Sequence, residues 1–405
     1  MVTCSEPEVA FDEVHAAEHE LAFDELHVSV DTLFSKTDVG SADKEILGAG
    51  VVWSAGNEYN VQSLDDVCGS GQPLSCTEVN IDNKNGLPYL IPVGALNADG
   101  LKTTYSSPGP ALWVSGFAGQ NGGNESVMNS QGYVITSGIY EPATMTVDRS
   151  SCQLGYVSDT NSSIYHNAFE NPAGHPENPN CNYTSTFNGT STAAPTVAGV
   201  IALMLEANPD LTWRDVKHIL VTTSEKIDVD RTYSLSGVTQ YSWIENSAGH
   251  EHHNWYGFGK VNAAEAVSAA KTITPNNLGT FVTTGFVVGT GSGTIPDNDG
   301  GSVSHTITKP SGSNGVVEFV RITIDFNHAQ AWSVGLRLQS PDGTVINLMQ
   351  PFTNVNNPGG GYDIDIGASA FYGESMEGTW TLELRDYASG TTGTLNRWGI
   401  EVYGN

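Results

Sequence analysis

The chain has 405 residues, of which 39% are hydrophobic, and its 45 acidic against 16 basic side chains give a net charge of −29. The length allows two domains with sizeable cores, and an aromatic content of 9% excludes a disordered chain. Such an acidic surface repels nucleic acids and anionic lipids, and the lack of a long apolar run predicts no membrane span.

Residues 1–46 are acidic and have a helical pattern that includes His15, His19 and His27. His15 and His19 have the i, i+4 spacing that can bind a metal on one face of a helix. Because no further ligands surround them, we interpret the segment as an acidic helical lead-in with a solvated surface rather than as a metal site.

Five cysteines occur in the chain. Cys68 and Cys76 flank a short segment with Gly and Pro, and Cys152 and Cys181 bracket a polar, Asn-rich stretch. We interpret these as two loop disulfides, which indicate an oxidising compartment; four buried thiols are the alternative. Cys4 is then left over, and the absence of a C-x-x-C pair gives a zinc site no support.

Two short apolar runs, at residues 47–57 and 88–96, have the composition of buried parallel strands, and a further short strand is predicted at 112–114. The first run ends in small residues followed by Asn57. Ligands of α/β proteins bind at such carboxyl ends of strands. Residues 120–185 are polar and rich in Gly, Asn and Ser, which predicts long loops with little regular structure.

Three helices are predicted between residues 190 and 270. The second opens with Thr212 and Asp215, which have the spacing of a capping box, and the third begins near Asn262. The first has a single apolar face, formed by Val197, Val200, Ile201, Met204 and Leu205.

Beyond about residue 271 the helical periodicity stops, and apolar residues alternate with polar ones along each run. Turns rich in Gly, Asn, Asp and Ser separate these runs, which are 320–326, 334–338, 380–384 and 398–402. This pattern is typical of an all-β sandwich, and the boundary is predicted within residues 272–277.

Two residues in this arrangement, Ser191 and Asn57, are candidates for catalytic roles. Ser191 stands among small residues at the predicted start of the first helix, where the helix dipole and close substrate approach favour a nucleophile. It also needs a general base, and an ordinary helix-capping serine is the alternative. Asn57 can donate a hydrogen bond to a developing oxyanion, although a turn asparagine bonded to its own backbone would suit the same place.

Together these motifs resemble those of the subtilisin-like serine proteases, the subtilases. Residues 47–270 are similar to the C-terminal part of a subtilase catalytic domain, in which Asn57 would form the oxyanion hole and Ser191 would be the nucleophile. The matching segments are Ala55-Gly-Asn-Glu58, Ile91-Pro-Val-Gly-Ala-Leu96, Tyr105-Ser-Ser-Pro-Gly-Pro110, Gly189-Thr-Ser-Thr-Ala-Ala-Pro195 and Tyr256-Gly-Phe-Gly-Lys-Val-Asn262.

Residues 271–405 resemble the P domain, or Homo B domain, of the kexin and furin-like proprotein convertases. The matching segments are Ser340-Pro-Asp-Gly-Thr344, Gly378-Thr-Trp-Thr-Leu382 and Gly393-Thr-Leu-Asn-Arg-Trp398. The resemblance implies an α/β, subtilisin-like parallel sheet with helices, represented by its C-terminal part only, followed by an all-β, jelly-roll-like sandwich.

The resemblance also implies a function. A secreted serine endopeptidase of this branch forms an acyl-enzyme, cleaves peptide or protein substrates after basic residues and uses Ca²⁺. Asp82 stands where the family places an acidic residue of the substrate pocket, a loop aspartate being the alternative. Asp65 and Asp66 are candidate Ca²⁺ ligands, surface carboxylates being the alternative. The acidic, Lys-poor composition suits a secreted or periplasmic bacterial protein.

One part of the family pattern is absent from this sequence. Subtilases have the triad Asp and His upstream of the oxyanion asparagine, yet the 56 residues before Asn57 contain neither an Asp-(Ser/Thr/Asp)-Gly motif nor a His-Gly-Thr motif. We therefore expect this chain to lack both residues, to be nearly inactive alone, and to need the N-terminal part of its catalytic domain as a partner. The alternative is a non-catalytic pseudoprotease that binds a peptide or protein.

Overall fold

The structure is a computed structural model that describes residues 51–59, 77–81, 83–120, 122, 142–156, 168–170, 175–289, 293–353 and 361–405. The predicted lead-in, residues 1–46, lies outside this part of the chain. So do several residues singled out from the sequence, which are Cys4, Asp65, Asp66, Cys68, Cys76 and Asp82.

A parallel sheet of three strands forms the centre of the α/β part. Its order is β1 (Val51–Ser54), β2 (Leu90–Leu96) and β3 (Val114–Phe117), and β2 is buried along its whole length. The first two predicted strands are confirmed. The third begins at Val114 rather than at residue 112, because the Leu112 N–H bonds to the Gly109 carbonyl in a turn.

The first predicted helix, α1 (Thr190–Ala207), packs against all three strands. A Cβ built on Gly116 of β3 would lie 2.9 Å from the Ala193 carbonyl oxygen, so only glycine allows this approach of strand to helix. By length and composition α1 would suit a membrane, but 56% of it is buried inside the protein, as in a core helix.

The other two predicted helices are also confirmed. Helix α2 (Trp213–Thr223) begins with the predicted capping box, in which Thr212 and Asp215 bond to each other's backbone N–H groups. Helix α3 (Ala263–Thr272) has Asn262 as its N-cap. Short antiparallel strands lie between these elements, at β4 (Thr144–Val147), β5 (Tyr183–Phe187), β6 (Tyr233–Leu235), β7 (Val238–Tyr241), β8 (Ile244–Glu245) and β9 (Glu251–His252).

Two antiparallel sheets form the predicted β-sandwich, with apolar side chains from both in one core. The larger sheet contains β10 (Val282–Thr283), β11 (Val287–Val288), β12 (Gly293–Ile295), β14 (Val317–His328), β17 (Gly361–Ala368) and β19 (Gly393–Gly404). The smaller sheet contains β13 (Gly300–Ile307), β15 (Val334–Gln339), β16 (Val345–Met349) and β18 (Gly378–Asp386). All four alternating runs lie in strands of this sandwich.

One of the two predicted disulfides is confirmed. Cys152 and Cys181 are bonded, and Cys181 is fully buried just before β5. The disulfide closes the loop between the paired strands β4 and β5. The predicted Cys68–Cys76 pair stays a prediction.

A buried ion pair joins the α/β part to the sandwich. The Arg214 side chain on α2 donates to both carboxylate oxygens of Glu318 on β14, and its Nε–Oε2 distance is 2.9 Å. Arg214 also donates to the Gly279 carbonyl at 2.6 Å, and Asn405 donates to Glu318 Oε1 at 2.9 Å. The two charges are thus satisfied by fixed partners although both side chains are at least nine-tenths buried.

We expect Arg214→Met to lower the free energy of unfolding by about 3–5 kcal/mol, because it leaves the Glu318 carboxylate buried without its ionic partner. Denaturant unfolding of the full chain measures this change. Arg337→Met is the matched control: Arg337 pairs with Glu383 at the partly exposed surface, so its loss should cost less than about 1 kcal/mol. Equal effects of the two substitutions would contradict this role of Arg214.

A second contact between the two parts depends on pH. Glu78 of the α/β part is 4% exposed and accepts hydrogen bonds from the Gln350 N–H at 2.8 Å and from the Thr353 hydroxyl. Burial raises the pKa of Glu78 to about 8, against 4.5 for the free side chain. The folded protein therefore retains a proton that the unfolded chain releases, and stability falls as pH rises from 4.5 to about 8.

We predict that Glu78→Gln abolishes the fall in the free energy of unfolding between pH 4.5 and about 8. Glutamine keeps the accepting oxygen and has no proton to release. Urea unfolding at pH 5 and pH 8 should show the variant gaining stability over the wild type at the higher pH. Glu377→Gln, on the surface, is the control for the substitution itself. A constant difference between Glu78→Gln and wild type at both values would show that Glu78 does not titrate in this range.

Candidate active site

The structure brings the two candidate catalytic residues together through Thr190. Asn57 follows the end of β1, and its Oδ1 accepts hydrogen bonds from the Thr190 N–H at 2.8 Å and the Thr190 hydroxyl at 3.0 Å. The same hydroxyl accepts from the Gly56 N–H at 3.1 Å. Because a backbone N–H can bond only to the carboxamide oxygen, these contacts assign the oxygen and nitrogen of Asn57.

The carboxamide of Asn57 lies beside Gly189. A Cβ built on Gly189 would be 3.4 Å from Asn57 Nδ2 and 3.5 Å from Asn57 Oδ1, and Gly189 has a φ of +91°, which disfavours any other residue there. Gly189 is also the N-cap of α1, where it makes no side-chain cap. The absence of a side chain thus leaves space beside a fixed hydrogen-bond donor.

Ser191 is the second residue of α1, next to Thr190, and is 4% exposed. Its position puts it at the positive end of the helix dipole, which favours negative charge developing on a bound group. The next residue, Thr192, donates its N–H to the Gly189 carbonyl and its hydroxyl to the Asn188 carbonyl. These two hydrogen bonds stabilise the turn that contains Ser191. Such an arrangement can support nucleophilic attack with stabilisation of an oxyanion.

An acidic side chain lies directly after Asn57. Glu58 is exposed, and its Oε2 accepts a hydrogen bond from the Ser107 hydroxyl at 3.2 Å. Ser107 also donates its N–H to the Gly56 carbonyl at 2.9 Å. Sequence reasoning noted Glu58 and Ser107 as parts of motifs but assigned neither a role at the site.

Several histidines of the described part bond to other elements. His218 Nδ1 lies 2.9 Å from the Tyr372 hydroxyl, at the contact with the sandwich. His252 Nε2 lies 3.1 Å from the Leu112 carbonyl oxygen, and burial lowers its pKa to about 4. His328 lies inside the sandwich. The three histidines noted in the acidic lead-in are outside the described residues.

The described ranges contain no group of three or more His, Cys, Asp or Glu side chains that could hold a metal. Asp65 and Asp66, the candidate Ca²⁺ ligands, and Asp82, the candidate substrate contact, lie in segments that the structure does not describe. Their roles stay predictions.

Comparison with known families agrees with this geometry. The profile of the subtilase family matches residues 25–259, which include Asn57 and Ser191. The chain belongs to the subtilase family. The profile of the proprotein convertase P-domain matches residues 317–402 in the sandwich, so both resemblances inferred from motifs are confirmed.

Relatives of this subtilase include bacterial and animal proteins. It is 28% identical to the extracellular serine protease of Aeromonas sobria over 86% of this chain and 57% of that protein. It is 33% identical to human proprotein convertase subtilisin/kexin type 7 over 55% of this chain and 28% of the relative. A calcium-dependent protease of Nostoc sp. is 29% identical over 80% of this chain and 42% of its own length. The chain thus spans 57% or less of these three relatives.

Solved structures show the same fold. The crystal structure of the Aeromonas sobria serine protease superimposes with a TM-score of 0.75 at 25% identity, covering 100% of this chain and 70% of that one. A structure of the same enzyme in complex with a chaperone, ORF2, gives a TM-score of 0.73 at 26% identity and covers 88% of this chain and 65% of that one.

Thr190→Val keeps the side-chain shape but removes the hydroxyl that donates to Asn57 and accepts from the Gly56 N–H. If Ser191 is the nucleophile, we expect its reaction with a fluorophosphonate to slow by about tenfold. The pseudo-first-order rate of labelling measures this effect. Thr196→Val is the matched control, since Thr196 lies on the same helix and donates to the Phe117 and Thr192 carbonyls rather than to Asn57. Equal labelling rates for the two variants would contradict the role of Thr190.

Proposed function

We propose that this subtilase is a secreted serine endopeptidase in which Ser191 is the nucleophile and Asn57 stabilises the oxyanion. The observation that supports it most is the pair of hydrogen bonds from Thr190 to Asn57 Oδ1, which fixes the donor nitrogen of Asn57 beside the residue that precedes Ser191. A structural serine and a turn asparagine would not require this link.

The proposed reaction begins with attack of Ser191 Oγ on the carbonyl carbon of the scissile peptide. A general base accepts the hydroxyl proton, and the carbonyl oxygen becomes an oxyanion that Asn57 Nδ2 and the N–H groups at the start of α1 stabilise. The protonated base gives this proton to the leaving amine as the C–N bond breaks and the acyl-enzyme forms. Water, losing its proton to the same base, then hydrolyses the ester and restores Ser191. One oxyanion donor of this kind contributes about 10²–10³ in turnover. We propose that the base and its carboxylate partner come from outside the described residues.

We further propose that the enzyme cleaves after basic residues. The carboxylate of Glu58 is exposed directly after Asn57, and Asp82 would add a second carboxylate from the loop before β2. A Lys or Arg side chain of the substrate would pair with such groups, and the net charge of −29 favours its approach. Human proprotein convertase subtilisin/kexin type 7 is among the relatives.

Calcium is proposed as a bound ion, with Asp65 and Asp66 as ligands. A relative from Nostoc sp. is named a calcium-dependent protease, and carboxylates are the ligands that Ca²⁺ prefers. The ion would stabilise the segment that contains both residues.

We also propose that the protein is secreted. The Cys152–Cys181 disulfide and the relative named an extracellular protease support this proposal.

We propose residues 47–270 and 271–405 as the two domains.

A fluorophosphonate should label the chain when the N-terminal part of its catalytic domain is supplied as a partner, and Ser191→Ala should abolish labelling because the attacking oxygen is gone. Mass spectrometry of the labelled peptide identifies the site. The variant Ser268→Ala, which changes an exposed serine on α3, should be labelled like the wild type.

Chelation of Ca²⁺ should slow labelling if the ion is bound. A peptide with Arg before the scissile bond should compete with the fluorophosphonate better than a peptide with Glu there. A wild-type chain that is not labelled even with the N-terminal part of its catalytic domain present would favour the non-catalytic, peptide-binding alternative.

A further inference from the structure

Tyr105 makes hydrogen bonds to two loops at the site through one hydroxyl group. The residue lies in the connection between β2 and β3, and its hydroxyl accepts from the Gly189 N–H at 2.9 Å and donates to the Gly119 carbonyl at 2.5 Å. Burial raises the pKa of Tyr105 to about 12, so the hydroxyl keeps its proton at neutral pH.

The main chain of Tyr105 also contacts the loop after β1, which contains Asn57. Its carbonyl accepts from the Tyr59 N–H at 3.0 Å, two residues after Asn57. The hydroxyl of Ser107, two residues further on, accepts from the Glu58 N–H at 3.3 Å. This short segment therefore contacts the loop after β1 through the Tyr105 carbonyl and the Ser107 hydroxyl, and the start of α1 through the Tyr105 side chain.

The acceptor side of this contact is also held in place. Gln120, which follows Gly119, accepts from the Thr104 N–H at 3.0 Å and donates to the Thr104 hydroxyl at 3.2 Å. The Gln120 carbonyl accepts from the Asn188 side chain at 2.7 Å. The Tyr105 hydroxyl is thus held between the Gly119 carbonyl and the Gly189 N–H at the start of α1.

The Gly189 N–H needs such a partner because N–H groups at the start of a helix have no acceptor within it. Gly189 also has a positive φ, +91°, and immediately precedes Thr190, which orients Asn57. A shift of the Gly189–Thr190 peptide would move the bond to Asn57 and the backbone of Ser191 together.

We propose that Tyr105 is a positioning residue for the nucleophile and oxyanion groups, acting through the hydrogen bond from Gly189 to its hydroxyl. The proposal rests on the endopeptidase function proposed above. It assigns a catalytic consequence to a hydroxyl that lies 84 positions from Gly189 in sequence.

Tyr105→Phe removes only this hydroxyl. The substitution removes the hydrogen bonds to both Gly189 and Gly119. We expect the maximal rate of fluorophosphonate inactivation to fall about tenfold, because the Gly189 N–H loses its acceptor, with little change in the inhibitor concentration at half-maximal rate. The final fraction of labelled molecules should match the wild type, whereas a merely structural role would lower that fraction and leave the rate of the remaining molecules unchanged. Tyr183→Phe, an exposed tyrosine on β5, is the matched control and should behave like the wild type.

Hydrogen exchange of the backbone amides in a peptide that covers residues 188–193 provides a measurement that needs no activity. Exchange should be faster in Tyr105→Phe than in Tyr183→Phe. Unchanged exchange would show that the hydrogen bond from Gly189 to Tyr105 does not hold the start of α1. Faster exchange with an unchanged inactivation rate would show that this hydrogen bond has no catalytic consequence. A wild-type chain that resists labelling with the N-terminal part of its catalytic domain present would overturn the proposed function and the positioning role with it. The exchange result would still decide whether the hydrogen bond from Gly189 to Tyr105 holds the start of α1.

Discussion

The close approach of β3 to α1 is the constraint on which the candidate site depends. At Gly116 any side chain would collide with the Ala193 carbonyl, so the helix can rest on the sheet only because this position is glycine. That contact sets where α1 begins relative to the carboxyl end of β1. Thr190, which precedes Ser191, can then bond to Asn57. The arrangement of the candidate site therefore depends on packing between strand and helix.

Local patterns in the sequence were sufficient to predict the three helices, the parallel strands and the four alternating runs of the sandwich, but not the short strands between them. The capping box at Thr212, the apolar face of α1 and the alternating runs of the sandwich each depend on neighbours a few residues apart, and each is confirmed. The motifs around Asn57 and Ser191 also predicted the family. The hydrogen bonds of Thr190 and Tyr105 could not be predicted, because their partners lie 133 and 84 positions away and leave no periodic signal. The start of β3 was misplaced because a buried turn and a buried strand have similar composition.

The sandwich completes the core of the α/β part. The ring of Tyr372 packs edge-on against Trp113, with centroids 5.8 Å apart, and Phe319 belongs to the same hydrophobic cluster. Beneath them the Lys217 ammonium donates to the Leu90 carbonyl at 3.0 Å and lies 3.7 Å from the Trp113 ring centre. Burial lowers the pKa of Lys217 to about 7, because the ammonium lies among the rings of Trp113 and Phe319.

The ion pair of Arg214 and Glu318 limits how such proteins can be recombined. A sandwich transplanted from a relative onto this α/β part would need a carboxylate at the position of Glu318 and a backbone carbonyl at that of Gly279, since Arg214 contacts both. A chimera without them would bury an uncompensated guanidinium. The two parts are therefore expected to diversify in step, so that a change on one side of the junction is inherited with a matching change on the other.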